Sequence, residues 1–593
     1  MHKVLRRQDI RFEDKDNALR DDVRTLGALV GELLKEQGGE ELFEFVESAR
    51  LRAIRRREGN DKPGENLGDL VRNLDLSFAT EVIRAFSTYF QMVNTAEKVH
   101  RIRRRREYLQ SEGNYQPGGL EESLVKLKAA GLDLAALETL LASISIEPVF
   151  TAHPTEPTRR TILRKEQNIV RQLIEMLNPT MTVQERHVCI ENIKLEVTTG
   201  WQTGEHPAAQ MTVADELEHV LFFVTDVLYR AMPPFYEDLE NAAIRIYGED
   251  ARRIDIPVLV RFASWVGGDM DGNPNVNAKT IRSTLARQRA LILDLYYREC
   301  GKLSAKLSQS SGRVGVSTHA LEKIEEYRGV FPNAYHAVPA RHRDMSYRVL
   351  LRLIQQRLQA TYDDDAYPYE TAEQFEADIR LIGDSLRMNR GQHAGLFTVR
   401  RLLRRIVTFG FHMVTLDVRQ DALVHRQVVG ECLDIEDWLE WSPQARLERM
   451  VEAIEARFTP GVQQSTNARK TLAVFQAIAF CRRKYGDRAI GPFIVSMTQG
   501  ADDILSVLLL AEWSDLHNRR DEVPLDVAPL FETVDDLVNG PRILEALLAN
   551  PLYRKHLSLR GDRQTVMIGY SDSNKDSGLA AARWALQNAQ IEL

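Results

Sequence analysis

The sequence predicts a parallel β/α sheet of barrel type, set among long helical insertions and preceded by a helical region. Short β-branched or apolar runs recur beyond residue 142, helical stretches separate them, and each run closes on polar, reactive residues. Strands that alternate with helices form βα units, and such units build parallel sheets. In a (β/α)8 barrel the C-terminal ends of the strands make one face, and that face carries the active site.

The elements follow in order. Residues 1–141 read as a helical region, with Phe86, Phe90 and Val93 at i, i+4 and i+7 forming an apolar stripe on a long helix. The arginines at 55–57 and 103–106 follow helical segments. They suit phosphate or RNA contacts, or else solvated, salt-bridged helix ends, the reading that the abutting Glu58 and Glu107 favour. The polar stretch GNYQPGGLEE, at 113–122, is a candidate connector. Residues 142–593 then supply six runs: SIEPVFTAHPTE, IPVLVRFASWVGGD, FHMVTLDVRQD, GPFIVSMTQG, VAPLFETVDD and TVMIGYSDSN. Met497 to Glu532 is 35 residues and Glu532 to Asp572 is 40, room for βαβ units of roughly 30 residues or more. Asp269 to Arg419 is 150 residues, so helical insertions fill that interval.

Composition narrows the function. The chain has 593 residues, 44% hydrophobic and 27% charged, with 85 acidic against 78 basic side chains and a formal net charge of −7. That excludes global disorder and argues against a nucleic-acid-coating protein. The four cysteines, Cys189, Cys300, Cys432 and Cys481, form no CxxC pair and read as free thiols in a reducing compartment. The start carries no apolar signal region and no apolar stretch reaches a membrane span of about 18–20 residues, so the expectation is a cytosolic protein without a membrane. The apolar segment around Val507 reads as a buried or amphipathic helix.

The chemistry lies at the strand ends, where His153, Asp269, Arg419, Thr498, Glu532, Asp572 and Lys575 could converge on one mouth. His153, fixed by Pro154 and followed by Glu156, Arg159 and Arg160, suits a general acid or base near an anion; a histidine satisfied by a backbone carbonyl in a turn is the alternative. Glu532 and Asp572 end successive strands and could share Mg²⁺ or Mn²⁺, or could serve with Asp535 as helix caps. Lys575 could add a point charge towards an anion in a loop opening a helix, or simply be solvated. Arg419 could fork onto phosphate or carboxylate, or pair with Asp417 or Asp421. The turn-rich WVGGDMDGNPNV is explained by a tight turn, while Trp265 before it could wall an apolar pocket for a small uncharged intermediate.

The motifs TAHPTE, GGDMDGNPNV, LDVRQ, PLFETVDDL and MIGYSDSNKDSG, in this order, resemble phosphoenolpyruvate carboxylase of bacterial type, and the resemblance extends over the helical start to cover essentially the whole chain. It implies a mostly helical protein around a (β/α)8 barrel, usually a homotetramer, that carboxylates phosphoenolpyruvate with bicarbonate to oxaloacetate and phosphate using Mg²⁺ or Mn²⁺, and so replenishes the tricarboxylic acid cycle. By motif, it implies that His153 and Lys575 are catalytic, Glu532 and Asp572 metal ligands, and Arg419 a phosphate contact. The family usually has a basic residue where Met270 stands. Family members also continue beyond QNAQIEL into a Gly- and Arg-rich loop and further barrel strands. The expectation is therefore an incomplete barrel of about six strands, a fragment inactive alone. A phosphotransferase acting through His153, and an inactive interaction partner of full-length subunits, are the competing readings.

Overall fold

The computed structural model describes residues 13–57, 67–72, 74–111, 113–151, 158–204, 211–461, 464–517 and 522–593. The chain divides into two compact units, Met1–Gly131 with His153–Gln210, and Leu132–Ala152 with Met211–Leu593.

The first unit is helical. Its longest segment, Asn17–Arg57, breaks at Gly39, whose φ of +83° leaves the helical range; a glycine adopts that value without the Cβ penalty that other residues meet. Leu26, Val30, Leu33 and Leu34 of this segment pack on Val82, Ala85, Met92, Ala96 and Val99 of the helix Leu76–Gln110, and on residues of Arg160–Glu175 and Val183–Trp201. The buried stripe of Leu76–Gln110 thus falls one position beside the expected one: Phe86 packs at its margin and Phe90 is 58% exposed. The second arginine run, near the end of Leu76–Gln110, is tied to acids. Arg103 reaches Asp22 at 2.8 Å, and Arg104 pairs with Glu107.

The second unit holds the predicted sheet. Its strands are β1 (Val149–Phe150), β2 (Ala263–Ser264), β3 (Thr415–Asp421), β4 (Ile490–Ser496), β5 (Val527–Phe531) and β6 (Met567–Ile568). All pair in parallel, in sequence order β1-β2-β3-β4-β5-β6, the order that successive βα units of a barrel produce. The six expected runs are these six strands, and the fold is a mostly helical chain around an incomplete barrel. The long β2–β3 interval is filled by helices, including Ala278–Lys306, Ser346–Asp363 and Ala372–Met388.

Strand alternation sorts the side chains. Leu416, Val418, Phe493, Val495 and Val527 face the helices and join one large core, which also takes most of Ala501–Trp513, the helix around Val507. Buried on all sides, that helix is apolar from Ile504 to Ala511 but for Ser506. Trp265, Ile494, Ala528, Leu530 and Met567 occupy the opposite face, inside the curl of the sheet. All four cysteines are buried free thiols. Among the described residues no helix is long and apolar enough to cross a membrane.

Candidate active site

Arg419 is the hub of the strand ends. It lies on β3 two residues beyond Asp417, on the inward parity, and its backbone is fixed from both sides: Arg419 N–H donates to Gly268 O at 3.0 Å and Met270 N–H donates to Arg419 O at 2.9 Å. This close approach requires glycine at 268, where a Cβ would lie 2.1 Å from Asp417 O. Gly267, at φ +91°, makes the turn that precedes it. The loop therefore runs as an extra rung along the end of β3, with an isolated parallel bridge between Asp269 and Arg419.

The guanidinium meets three carboxylates. Nε lies 2.8 Å from Asp269 Oδ1, Nη2 3.4 Å from Asp271 Oδ2, and Nη1 3.3 Å from Glu532 Oε1. Neither Asp417 nor Asp421, the pairing partners weighed from sequence, is among them. The guanidinium also stacks on Trp265, 4.7 Å from the ring centroid. Asp271 was not singled out from the sequence; its place in the same turn as Asp269 was the available signal.

Glu532 follows β5 and is 7% exposed. Burial pushes its carboxyl up to about 7; Arg419 opposes the rise, and the charges of Asp572 and Asp271 reinforce it. Gly569 makes room beside it, since a Cβ there would lie 3.1 Å from Glu532 Cα, and Gly569 N–H donates to Phe531 O at 2.7 Å. Neither Glu532 nor Asp535 caps the next helix. Thr533 does, in a capping box with Asp536, which leaves Glu532 available to the mouth. Asp572 and Lys575 stand on Tyr570–Ser577, which forms a short helix where a loop was expected, and they pair at 3.0 Å in an exposed position.

These groups have a charge mismatch. Asp269, Asp271, Glu532 and Asp572 face the two cations Arg419 and Lys575, a surplus of two negative charges. A divalent cation fits this donor set: hard carboxylate oxygens, with water and substrate oxygens completing the shell. Among the described residues no group of three or more His, Cys, Asp or Glu side chains is gathered to hold a metal ion; Glu532 and Asp572, whose charges interact, are the pair that could contribute two of its ligands.

Beneath Arg419, Trp265 packs with Ile494, Ala528, Leu530 and Met567 in an apolar floor. Its indole N–H donates to Asp417 Oδ2 at 3.2 Å. Asp417 is 5% exposed, its Oδ1 has no partner, and burial, reinforced by Glu147, pushes its carboxyl up to about 7. An apolar pocket walled by Trp265 was expected from sequence, but its other members and a site role for Asp417 were not, because both depend on inward parity across separate strands. Thr498 does not reach the mouth; it is fully buried and its hydroxyl donates to Val495 O at 2.8 Å. Met270 packs against the core between sheet and helices. His153 and Glu156 lie outside the described residues, while Arg159 precedes and Arg160 opens the helix Arg160–Glu175 of the first unit.

Sheet and site together define a β/α-barrel chain whose ionic groups gather at the C-terminal strand ends above an apolar floor. The family model described as Phosphoenolpyruvate carboxylase matches residues 19–593, and the chain belongs to that family. It is 47% identical over 589 residues to a phosphoenolpyruvate carboxylase of Xanthomonas oryzae pv. oryzae, covering 99% of this chain and 65% of the relative. To proteins of the same name from Ralstonia nicotianae and Burkholderia mallei it is 34% identical, covering 98% of this chain and 61% of each relative. The chain thus spans less than two thirds of the length of these curated relatives.

Proposed function

We propose that the protein to which this chain contributes is a phosphoenolpyruvate carboxylase, converting phosphoenolpyruvate and bicarbonate to oxaloacetate and phosphate and so replenishing the tricarboxylic acid cycle. The observation that carries this reading is the arrangement of Arg419, Glu532 and Asp572 directly above an apolar floor containing Trp265. That arrangement joins anion handling to a compartment suited to an uncharged carbon species. Mg²⁺ or Mn²⁺ at Glu532 and Asp572 would supply Lewis-acid stabilisation of oxyanions.

The chain's own groups then have distinct tasks. Arg419 and Lys575 orient the phosphoryl group and offset its developing charge while a bicarbonate oxygen attacks phosphorus and the enol C–O–P link breaks. The products of that step are carboxyphosphate and the enolate of pyruvate. His153 takes the carboxyphosphate proton, and carbon dioxide and phosphate separate. The apolar wall of Trp265, Leu530 and Met567 keeps water from the enolate, whose methylene carbon then bonds to carbon dioxide. Protonation of the enolate in place of that bond gives pyruvate, a lost turnover. On this reading the protein works in the cytoplasm as a homotetramer, without nucleic acid or membrane. The 593-residue polypeptide alone, with β1 and β6 unpaired at their outer edges among the described residues, does not turn over.

The test separates the two half-reactions in the protein as its cell makes it. His153→Asn should abolish oxaloacetate while bicarbonate-dependent phosphate release persists; an unchanged oxaloacetate yield removes His153 from the role of base.

A further inference from the structure

Asp417 is a carboxylate in the inner layer of the sheet, one inward position below Arg419, and none of the steps above uses it. Its surroundings are shaped to admit it. Gly491 on the neighbouring β4 leaves the space for Oδ1, since a Cβ there would lie 2.1 Å away, and the absent side chain of Gly268 leaves the space for its carbonyl. Burying a carboxylate without a full set of partners is costly, and Oδ1 has none. Among the described residues, the one side-chain bond it makes is the one it accepts at Oδ2 from the Trp265 indole.

The indole matters because it touches two parts of the site. One face carries the Arg419 guanidinium at 4.7 Å from the centroid, and the ring is also packed against the apolar floor of Ile494, Ala528 and Leu530. Trp265 stands just past the two-residue strand β2; its backbone is fixed, with its N–H donating to Phe150 O at 2.8 Å and its carbonyl accepting from the N–H groups of Gly268 and Asp269 at 2.9 Å, but none of these bonds sets the rotation of the ring about its side-chain torsions. A hydrogen bond from the ring edge to a carboxylate anchored mid-strand on β3 fixes the ring plane, and with it the surface on which Arg419 rests and the wall of the apolar floor.

We propose that Asp417 is a positioning residue, which holds the Trp265 indole so that it both supports Arg419 and closes the apolar floor against water. This rests on the carboxylase reading for its catalytic consequence, and on geometry alone for its structural one, so each has its own measurement.

For the structural part, the chain is labelled with 5-fluorotryptophan. Its six tryptophans give separate ¹⁹F resonances, and Trp265→Phe identifies the one of interest. Asp417→Leu, which cannot accept the bond, should move the Trp265 resonance and leave the other five in place. Asp417→Asn, whose amide oxygen accepts it, should keep the resonance near its original position. For the catalytic part, measured on the protein as its cell makes it, Asp417→Leu should raise the ratio of pyruvate to oxaloacetate about tenfold, the order expected for losing one orienting hydrogen bond. Asp417→Asn should restore most of the coupling. The effect of Asp417→Leu should also vanish in a Trp265→Phe background, because the two residues act as one unit.

A Trp265 resonance and product ratio unmoved by Asp417→Leu overturn the proposal, as do additive effects of the two substitutions. If Asp417→Leu displaces all six resonances, the fold is disturbed and the decision passes to Asp417→Asn: a displaced Trp265 resonance there overturns the proposal and a retained one supports it. A displaced resonance in a protein that forms no oxaloacetate with any variant, wild type included, refutes the carboxylase reading and leaves the positioning role standing.

Discussion

Replacing Asp417 by asparagine should stabilise the strands around it, and by an amount that grows with pH. Burial raises the folded-state carboxyl from its usual 3.8 to about 7, with Glu147 adding to the rise and the indole bond opposing it. For an acid whose folded pKa lies above its unfolded one, the native state keeps a proton that the unfolded chain releases, so stability falls as pH climbs between the two values. Each pH unit costs about 1.36 kcal/mol. The penalty is absent below pH ~4, reaches about 1.6 kcal/mol at pH 5 and levels near 4.4 kcal/mol above pH 7. These figures are upper bounds, because water entering the open curl of the sheet would soften the burial. Asparagine never ionises, so it removes the whole pH-dependent part. Its NH₂ inherits the partnerless position of Oδ1, a cost that is constant with pH and only offsets the curve. Native-state hydrogen exchange on peptides covering residues 415–421 reads the difference locally, which a multi-unit chain requires since one global unfolding energy is not defined for it. Comparing variant and wild type at one pH also cancels the pH dependence of intrinsic exchange. The variant's advantage should be about 2.7 kcal/mol larger at pH 8 than at pH 5. An advantage equal at the two pH values would refute the claim that Asp417 is a carboxyl held neutral by burial.

Two further outcomes follow from the ionic groups. Mn²⁺ should stabilise the segments carrying Glu532 and Asp572 against local unfolding, read by hydrogen exchange, by about 2.7 kcal/mol at a hundredfold excess over its dissociation constant, and Glu532→Gln should remove both that stabilisation and the calorimetric binding signal; undiminished binding by the variant takes Glu532 out of the ligand set. Arg446→Met should destabilise the second unit by about 3–5 kcal/mol, because Arg446 Nε donates to Oδ2 of the buried Asp502 at 2.7 Å and Oδ1 has no partner to compensate for its loss. Calorimetric melting checks this, with partial recovery in the Arg446→Met/Asp502→Asn double variant; an unchanged melting temperature would show that the pair is not buried as described.

The sheet was legible because parallel strands buried on both faces leave continuous apolar runs that end abruptly in polar residues, as in GPFIVSMTQG and VAPLFETVDD. The amphipathic stripe of Leu76–Gln110 was legible only in kind. Phe90 lies on the exposed side while small residues, Ala85 and Ala96, take buried positions where two helices approach closely, so residue size misled a reading based on the large aromatics. Arg419 and Glu532 could be singled out, yet not joined. Their contact at 3.3 Å spans 113 residues of sequence and exists because β3 and β5 flank β4 in one sheet. His153 falls outside the described residues, so its role rests on its motif alone.

What places the site is strand parity rather than any one motif. On β3, Asp417 and Arg419 point inward while Leu416 and Val418 enter the helical core; on β5, Ala528, Leu530 and Glu532 point inward while Val527 and Phe531 do not. The registers Val418↔Phe493 and Arg419↔Ile494 between β3 and β4, and Phe493↔Val527 and Ile494↔Ala528 between β4 and β5, lock the three strands in phase. A slip of one residue on β5 would turn Glu532 to the helices and Phe531 to the mouth, exchanging a carboxylate for a phenyl ring. The large side chain of Phe531, on the outer face at 0% exposure, makes that slip prohibitive, because it would leave a cavity behind and crowd the interior ahead. The hydrophobic core outside the sheet is therefore what aims the charged groups inside it, and the chemistry of the mouth depends on aromatic residues that never touch it.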